Sequence, residues 1–399
     1  MSLPLSVVAS TSATMSSKAR GGLSSFDDMT LWYKRFFRLV GILPFENQDF
    51  SYPLTQLLLV YCLSLSLVYW SMFVCYMIKV PSIDATCETI VVAGTTLRYY
   101  LLLLRRRDFV ELLDECRAIW EQLDEDGRRS VCRFERKIRR LFKFLLVSFF
   151  STNFAYCASA AFATATASSV NGTRARYLPF KWYSDDAPNR WPGYKAIFAT
   201  QVMVTNNACI YGPSVDSAAP FLIMIGAGYF RALQRRLARV ADDGDEASAD
   251  LELVLCSRLH QRILGFCSGI DGITRNLFFI QLLCTVYNIS LTGIKLAGSE
   301  PDRYKFAPLM IINVAQLYIC QWAPDNLIDE SSAISTAAYS VSVTWMRRRL
   351  GKLLVLVIAR SQRPVQITAA GVVYLSLEKF GSMLTSAFSF FTVLRNFND

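Results

Sequence analysis

Seven apolar runs, each close to the length needed to cross a bilayer, constrain this chain more than any other feature. They fall near residues 53–78, 85–104, 141–166, 196–229, 276–297, 306–322 and 371–394, with the charged residues clumped between them. About 20 apolar residues in helical form span a hydrocarbon core of about 30 Å. Inside that core every backbone amide needs an internal partner, so the runs are expected to be helices. Over 399 residues, 53% are hydrophobic and only 19% charged, below the usual ~25% of a soluble domain. The expected fold is an all-α membrane protein with seven transmembrane helices. An eighth stretch, 353–358, is too short to cross. It is bracketed by Arg347, Arg348, Arg349 and Arg360, and reads as an apolar stripe on a helix outside the bilayer core.

Lys and Arg set the orientation. Segments on the N-terminal side of the spans carry 29, the opposite side carries 10, and Arg98, Lys143 and Lys379 fall within spans. The N-terminus is therefore expected inside and the C-terminus outside, opposite to G-protein-coupled receptors, which remain the weaker reading. Asp302-Arg303-Tyr304 matches a motif of those receptors but precedes span six instead of ending span three. The net charge of +10 is accounted for by orientation and does not imply nucleic acid. The first 25 residues hold eight serines and no apolar core, and read as a disordered cytoplasmic tail. Asn171, in the sequon Asn171-Gly172-Thr173 of the second outer loop, is a glycosylation candidate.

Enzyme chemistry finds no support: no catalytic, metal or cofactor constellation is visible. His260 is the single histidine, and it reads as a packed structural residue. The 11 cysteines sit mostly inside apolar runs, and the outer loops contain none, so no disulfide framework is expected. Residues 105–140, 231–239 and 251–270 have the apolar spacing of amphipathic helices on the cytoplasmic side, the last two separated by the acidic stretch 242–246.

For a small ligand the outer halves of the spans offer aromatic and thioether surface with isolated polar groups. The candidates are Phe150, Phe154, Tyr287 and Met310, with Thr205 and Asn313 near them, and Val91, Gly94 and Val202 on neighbouring spans. Such a lining suits a small, mostly apolar molecule held by dispersion and one or two hydrogen bonds.

The last 36 residues carry a different signal. From Pro364 to Asn396 the chain is expected to run as one helix of about 48 Å, with Glu378 and Lys379 marking the inner membrane boundary. Ser382, Ser386, Ser389, Val393 and Asn396 then share one stripe. Hydroxyls at that density favour a face on a wet lumen.

This segment resembles the end of the insect odorant receptors, seven-span receptor channels of olfactory neurons. The resemblance rests on Ser376-Leu377-Glu378-Lys379-Phe380 and on Ser386-Ala387-Phe388-Ser389-Phe390-Phe391-Thr392-Val393-Leu394. Weaker matches lie at 327–331, 337–345, around His260, and at 178–182. It implies a last span split into a cytoplasmic half-helix in a helical anchor region and a pore-lining half. The division would be 1–25 tail, 26–325 spans one to six with the ligand pocket, 326–363 anchor half-helix, and 364–399 pore-lining span. It places the gate at Val393, with Asn396 and Phe397 at the outer vestibule and Ser386 and Ser389 along the pore. It further implies a multi-pass subunit of the plasma membrane of olfactory neuron dendrites. There it would work in membrane lipid as a cation-conducting heterotetramer with a co-receptor, opened by an apolar volatile. The loop at 229–275 is short for a co-receptor, so a tuning subunit is expected. A homomeric insect gustatory receptor is the nearest rival.

Overall fold

The computed structural model describes residues 25–43, 83–167, 169–170, 173–174, 176–180, 193–242, 246–299, 303–345 and 351–398. The tail, the first apolar run at 53–78 and the sequon asparagine Asn171 lie outside the described residues. Nine helices organise the described chain: α1 (Phe26–Leu39), α2 (Ile83–Leu104), α3 (Arg106–Glu121), α4 (Glu125–Thr166), α5 (Gly193–Asp242), α6 (Glu246–Ala297), α7 (Phe306–Trp345), α8 (Gly351–Ser361) and α9 (Leu377–Asn398). Two small antiparallel hairpins join them, β1 (Ser169–Val170) with β2 (Thr173–Arg174), and β3 (Thr368–Ala369) with β4 (Val373–Tyr374).

Four helices, α4 to α7, are long and apolar enough to cross a membrane, and α2 contributes a shorter apolar stretch at Ile90–Leu104. At 42, 50, 52 and 40 residues, α4 to α7 run for about 60–78 Å, roughly twice the hydrocarbon thickness. The amphipathic segments read from the sequence at 231–239 and 251–270 are thus continuations of the membrane helices, not separate elements. The helices run unbroken through Gly226 and Gly228 of α5, Gly265, Gly269 and Gly272 of α6 and Pro324 of α7. Only α3 is set apart, by a turn at Arg105. The Asp124 carboxylate then accepts the Gly127 amide at 3.0 Å and starts α4.

The extensions pack into one core. Tyr33 and Phe37 of α1 meet Phe221 of α5, with rings 4.2 and 6.4 Å apart. Phe142 of α4 and Phe109 of α3 close the same cluster. Gly228 lets α5 approach α4, since a Cβ there would lie 2.9 Å from the Val131 backbone. Ion pairs ring this core: Arg262 holds Glu115 through two bonds at 2.5 and 2.9 Å, Arg236 meets Glu252 at 2.8 Å, and Arg239 meets Asp124. His260 is buried edge-on against Phe230 at 6.1 Å. Burial, and secondarily the Arg360 charge, hold its pKa down to about 4, so it is a neutral packed residue at physiological pH.

The C-terminal region corrects two expectations. Residues 327–345 do not open the anchor half-helix; they continue α7, and the separate half-helix is α8. Nor does a helix run from Pro364. Residues 362–376 form a non-helical link built on the β3–β4 hairpin, and α9 starts at Leu377. The turn needs left-handed backbone at Ala370 (φ 53°) and Gly371 (φ 74°). Neighbouring helices then satisfy its amides. Asp271 accepts the Thr368 amide at 2.7 Å, Gln321 the Ser376 amide at 3.0 Å, and Asp325 the Leu377 amide at 3.0 Å.

Candidate functional site: an apolar cavity and a polar-lined last helix

α2, α4, α5 and α7 leave a cavity of about 80 Å³ between them, near the ends that carry the loop 167–180. One water needs roughly 10–15 Å³ on this measure, so the space is on the order of five waters. α4 presents Phe149, Thr152, Asn153 and Tyr156, the i, i+3, i+4, i+7 stripe of one helical face. Opposite stand Val91 and Val92 of α2, Thr205, Ala208 and Cys209 of α5, and Leu309 and Ile312 of α7.

Phe180 roofs the cavity. Its ring stacks on Tyr156 at 5.1 Å and 16°. Gln201 of α5 fixes its backbone in both directions, accepting the Phe180 amide at 3.2 Å and donating to its carbonyl at 2.9 Å. Polar groups in the wall are mostly engaged with protein. Asn153 donates to Asn206 at 2.9 Å, Thr152 to the Ser148 carbonyl at 2.9 Å, and Thr205 to the Gln201 carbonyl at 2.9 Å. What the wall offers an occupant is therefore dispersion, ring faces and a few spare acceptor lone pairs.

Beneath the cavity lies a buried charge. Arg98 of α2 pairs with Asp216 of α5, and Gln316 of α7 donates to the second Asp216 oxygen at 2.5 Å. The guanidinium also donates to Thr95 at 3.1 Å and to the Gly94 carbonyl at 3.2 Å. Arg98 follows Val91 by two turns, Asp216 follows Cys209 by two turns, and Gln316 follows Ile312 by one. One clasp thus ties three cavity-lining helices about 6–10 Å below the lining residues.

Of the ligand candidates read from the sequence, the structure places Val91 and Thr205 in the wall. Phe150, Phe154 and Tyr287 do not join them: their side chains point out of the bundle, Phe154 being 74% exposed. Phe149 sits one position, about 100° of rotation, from Phe150, and lines the cavity instead. Gly94 is buried where α2 meets α6, with room for no side chain beside Cys284. Met310 packs against the main core and Asn313 is buried with its Nδ2 atom unpaired, neither lining the cavity. Val202 is half-buried one turn from Thr205, also outside the wall. Sequence reasoning missed Tyr156, Asn153 and Phe180. Asn153 was the available signal, since an amide on an otherwise apolar span marks the face turned away from lipid.

α9 rests on α6 through Ala387, whose carbonyl accepts Ser290 at 2.8 Å, and through Phe391, which packs on Gly293. Nearer its start Phe380 packs on Tyr318 of α7 at 5.8 Å, Met383 meets Gln321, and Leu384 joins the core, while the opposite face is exposed in the single chain. Ser382, Thr385, Ser386, Ser389 and Val393 are all exposed. Ser386 and Ser389 donate to the Ser382 and Thr385 carbonyls at 3.0 Å. Because the hydroxyl protons are satisfied within the helix, they do not by themselves demand a wet lumen, as the sequence argument assumed. Asn396 and Phe397 lie in the last turns of α9, their side chains outside the described set.

Long helices with a partly open apolar cavity at one end, a buried ion pair beneath it and a final helix with an exposed, hydroxyl-bearing face fit a multi-pass membrane protein. A family model described as 7tm Odorant receptor matches residues 79–388, and the chain belongs to that family, one of receptors and not of enzymes. Among curated relatives, Odorant receptor 10 of Aedes albopictus is 26% identical over 211 residues, covering 51% of this chain and 56% of that one. Odorant receptor Or2 of Anopheles gambiae is 24% identical over 218 residues, covering 51% and 57%. The chain thus matches little more than half the length of these two relatives. Its fold is similar to the olfactory receptor OR5 of Machilis hrabei, solved in complex with eugenol, with a TM-score of 0.73 at 14% identity over 92% of this chain and 98% of that one.

Proposed function

We propose that the chain is the odorant-binding, tuning subunit of a ligand-gated, non-selective cation channel. It assembles with a co-receptor as a heterotetramer in the plasma membrane of olfactory neurons, N-terminus inside. The observation that carries this reading is the cavity among α2, α4, α5 and α7, lined by Phe180 and walled almost wholly by apolar and aromatic groups. Such a site takes a small, mostly apolar volatile. Eugenol, the ligand solved with the Machilis hrabei receptor, supplies the chemical class: a compact ring with one or two polar atoms. Phe149, Tyr156 and Phe180 replace Phe150, Phe154 and Tyr287 as the aromatic contacts, beside Val91 and Thr205.

α9 supplies a further span of the seven expected from the sequence; the run at 53–78 lies outside the described residues. The exposed stripe of α9, with Ser386, Ser389 and Val393, turns to the axis of the assembly. There the Val393 side chains form an apolar ring that closes by dewetting, with Asn396 and Phe397 outside it. The test is expression with and without an insect co-receptor, recording current against volatiles that include eugenol. Ligand-evoked cation current that needs this chain and shifts with Tyr156→Ala is expected. Responses without current, dependent on a G protein, would replace the channel reading with the metabotropic one.

A further inference from the structure

Below the apolar part of α4, its charged extension and α1 enclose an open groove of about 490 Å³. Arg129, Arg133, Arg136 and Arg139 line it, against the two carboxylates Asp28 and Glu135. Those carboxylates are already engaged. Glu135 accepts Arg139 at 2.6 Å, and Asp28 caps α1 through the Ser25 amide at 3.3 Å. Arg129 leans loosely on Glu125 and Asp126 at 3.4 and 3.3 Å. Arg133 and Arg136 are exposed and have no carboxylate partner among the described residues; Arg136 donates only its Nε, to the Cys132 carbonyl at 3.2 Å.

Position along the helix narrows the ligand. The apolar run of α4 starts at 141, and Lys143 stacks over Trp32 of α1 at 5.6 Å, a pairing suited to the membrane interface. Counting back at 1.5 Å per residue, Arg139 lies about 3 Å, Arg136 about 8 Å and Arg133 about 12 Å below that start. The headgroup layer is only about 5–8 Å deep on each side. A headgroup with a single phosphate ends level with Arg139 and Arg136. Reaching Arg133 takes a headgroup that projects past its neighbours and carries further phosphates, which guanidinium groups grip in bidentate fashion.

We propose that this groove binds the phosphorylated inositol headgroup of a polyphosphoinositide in the cytoplasmic leaflet. It rests on the N-terminus-inside orientation proposed above but not on ligand gating or conduction.

The test uses the purified full-length chain in lipid nanodiscs, which expose both membrane faces, so the binding result is independent of orientation. Nanodiscs of phosphatidylcholine with phosphatidylinositol 4,5-bisphosphate are compared with nanodiscs of phosphatidylcholine with phosphatidylserine at equal total charge. Bound lipid is counted by native mass spectrometry. Retention of the bisphosphate over phosphatidylserine is expected. It should fall about fivefold for each of Arg133→Gln and Arg136→Gln. Lys137→Gln with Arg140→Gln, a charge-matched change on the same helix outside the groove, should leave it within about twofold. Arg133→Lys with Arg136→Lys preserves charge and fold, and should still lose affinity because the bidentate geometry goes. Equal loss from Arg133→Gln with Arg136→Gln and from Lys137→Gln with Arg140→Gln would reduce the effect to a diffuse basic stripe and overturn the proposal. So would no preference over phosphatidylserine. Binding of soluble inositol trisphosphate as tight as that of the lipid would assign the groove to a soluble ligand instead.

Discussion

The two ends of the helical bundle are built differently. At the end away from the cavity, residues 221–225 of α5 are completely buried, Tyr229 donates to the Cys116 carbonyl at 2.6 Å, and Arg262, Arg236 and Arg239 each bind a carboxylate on another element or across a helix junction. The cavity end has a separate small apolar cluster around Phe149, Tyr156, Phe180 and Phe306, a void in its middle, and few cross-helix hydrogen bonds. A receptor needs this division. Elements that must rearrange around a ligand are drawn from the less stable part of a structure, while the part that holds the assembly stays rigid. The Arg98–Asp216–Gln316 clasp stands at the boundary.

Cutting the clasp is the most severe challenge to that division. Asp216→Ala leaves Arg98 charged and buried, a loss of about 3–5 kcal/mol, and should appear as failed surface expression or a large drop in melting temperature. Replacing both partners together, Arg98→Met with Asp216→Leu, should recover most of it. If Asp216→Ala melts normally, the boundary is not where we place it.

Acid challenges the packed end through His260. The His260 pKa is lowered from 6.5 to about 4, so the unfolded chain binds the extra proton between those values. Its contribution is fully present above pH 6.5 and is lost as pH falls through 4, up to about 3 kcal/mol. His260→Gln should flatten that part of the stability–pH curve, measured by thermal melting. An unchanged slope would mean that the histidine is not buried as described.

At the cavity end, Tyr156→Ala should weaken ligand responses by about 1–3 kcal/mol. Phe154→Ala, which removes a ring pointing away from the cavity, should leave the dose–response curve in place. The reverse pattern would return the pocket to the opposite face of α4. Smallest of all, Tyr229→Phe removes the buried hydrogen bond to the Cys116 carbonyl and the weaker one with its thiol, and should cost about 0.5–1.5 kcal/mol in stability without moving ligand sensitivity. A shift in sensitivity there would show that the two halves are not energetically separate.

How much of this was legible beforehand follows from how far each signal reaches. Run length and charge clumping placed the helices, because bilayer thickness acts on many residues at once. Helix phase was harder: two adjacent phenylalanines, Phe149 and Phe150, are indistinguishable by composition, and only Asn153 marked the inward side. The link at 362–376 was hidden because Pro364 opens an apolar stretch that scans as helix. The local evidence was Ala370-Gly371-Val372 between the short pairs Thr368-Ala369 and Val373-Tyr374, a hairpin pattern too brief to outweigh the longer run. Long-range polar contacts such as Asp271 with Thr368 and Gln321 with Ser376 bring together residues 97 and 55 positions apart, which no local window can see.

That link has a mechanical consequence. Held to α6 and α7 at Asp271, Gln321 and Asp325, it is placed to serve as a fulcrum, with α9 beyond it packed on α7 through Phe380 and Met383 and on α6 through Ala387 and Phe391. From Leu377 to Val393 the arm is about 24 Å. A tilt of about 5° would carry Val393 about 2 Å sideways over that arm, while the α8 side of the pivot stays where it is.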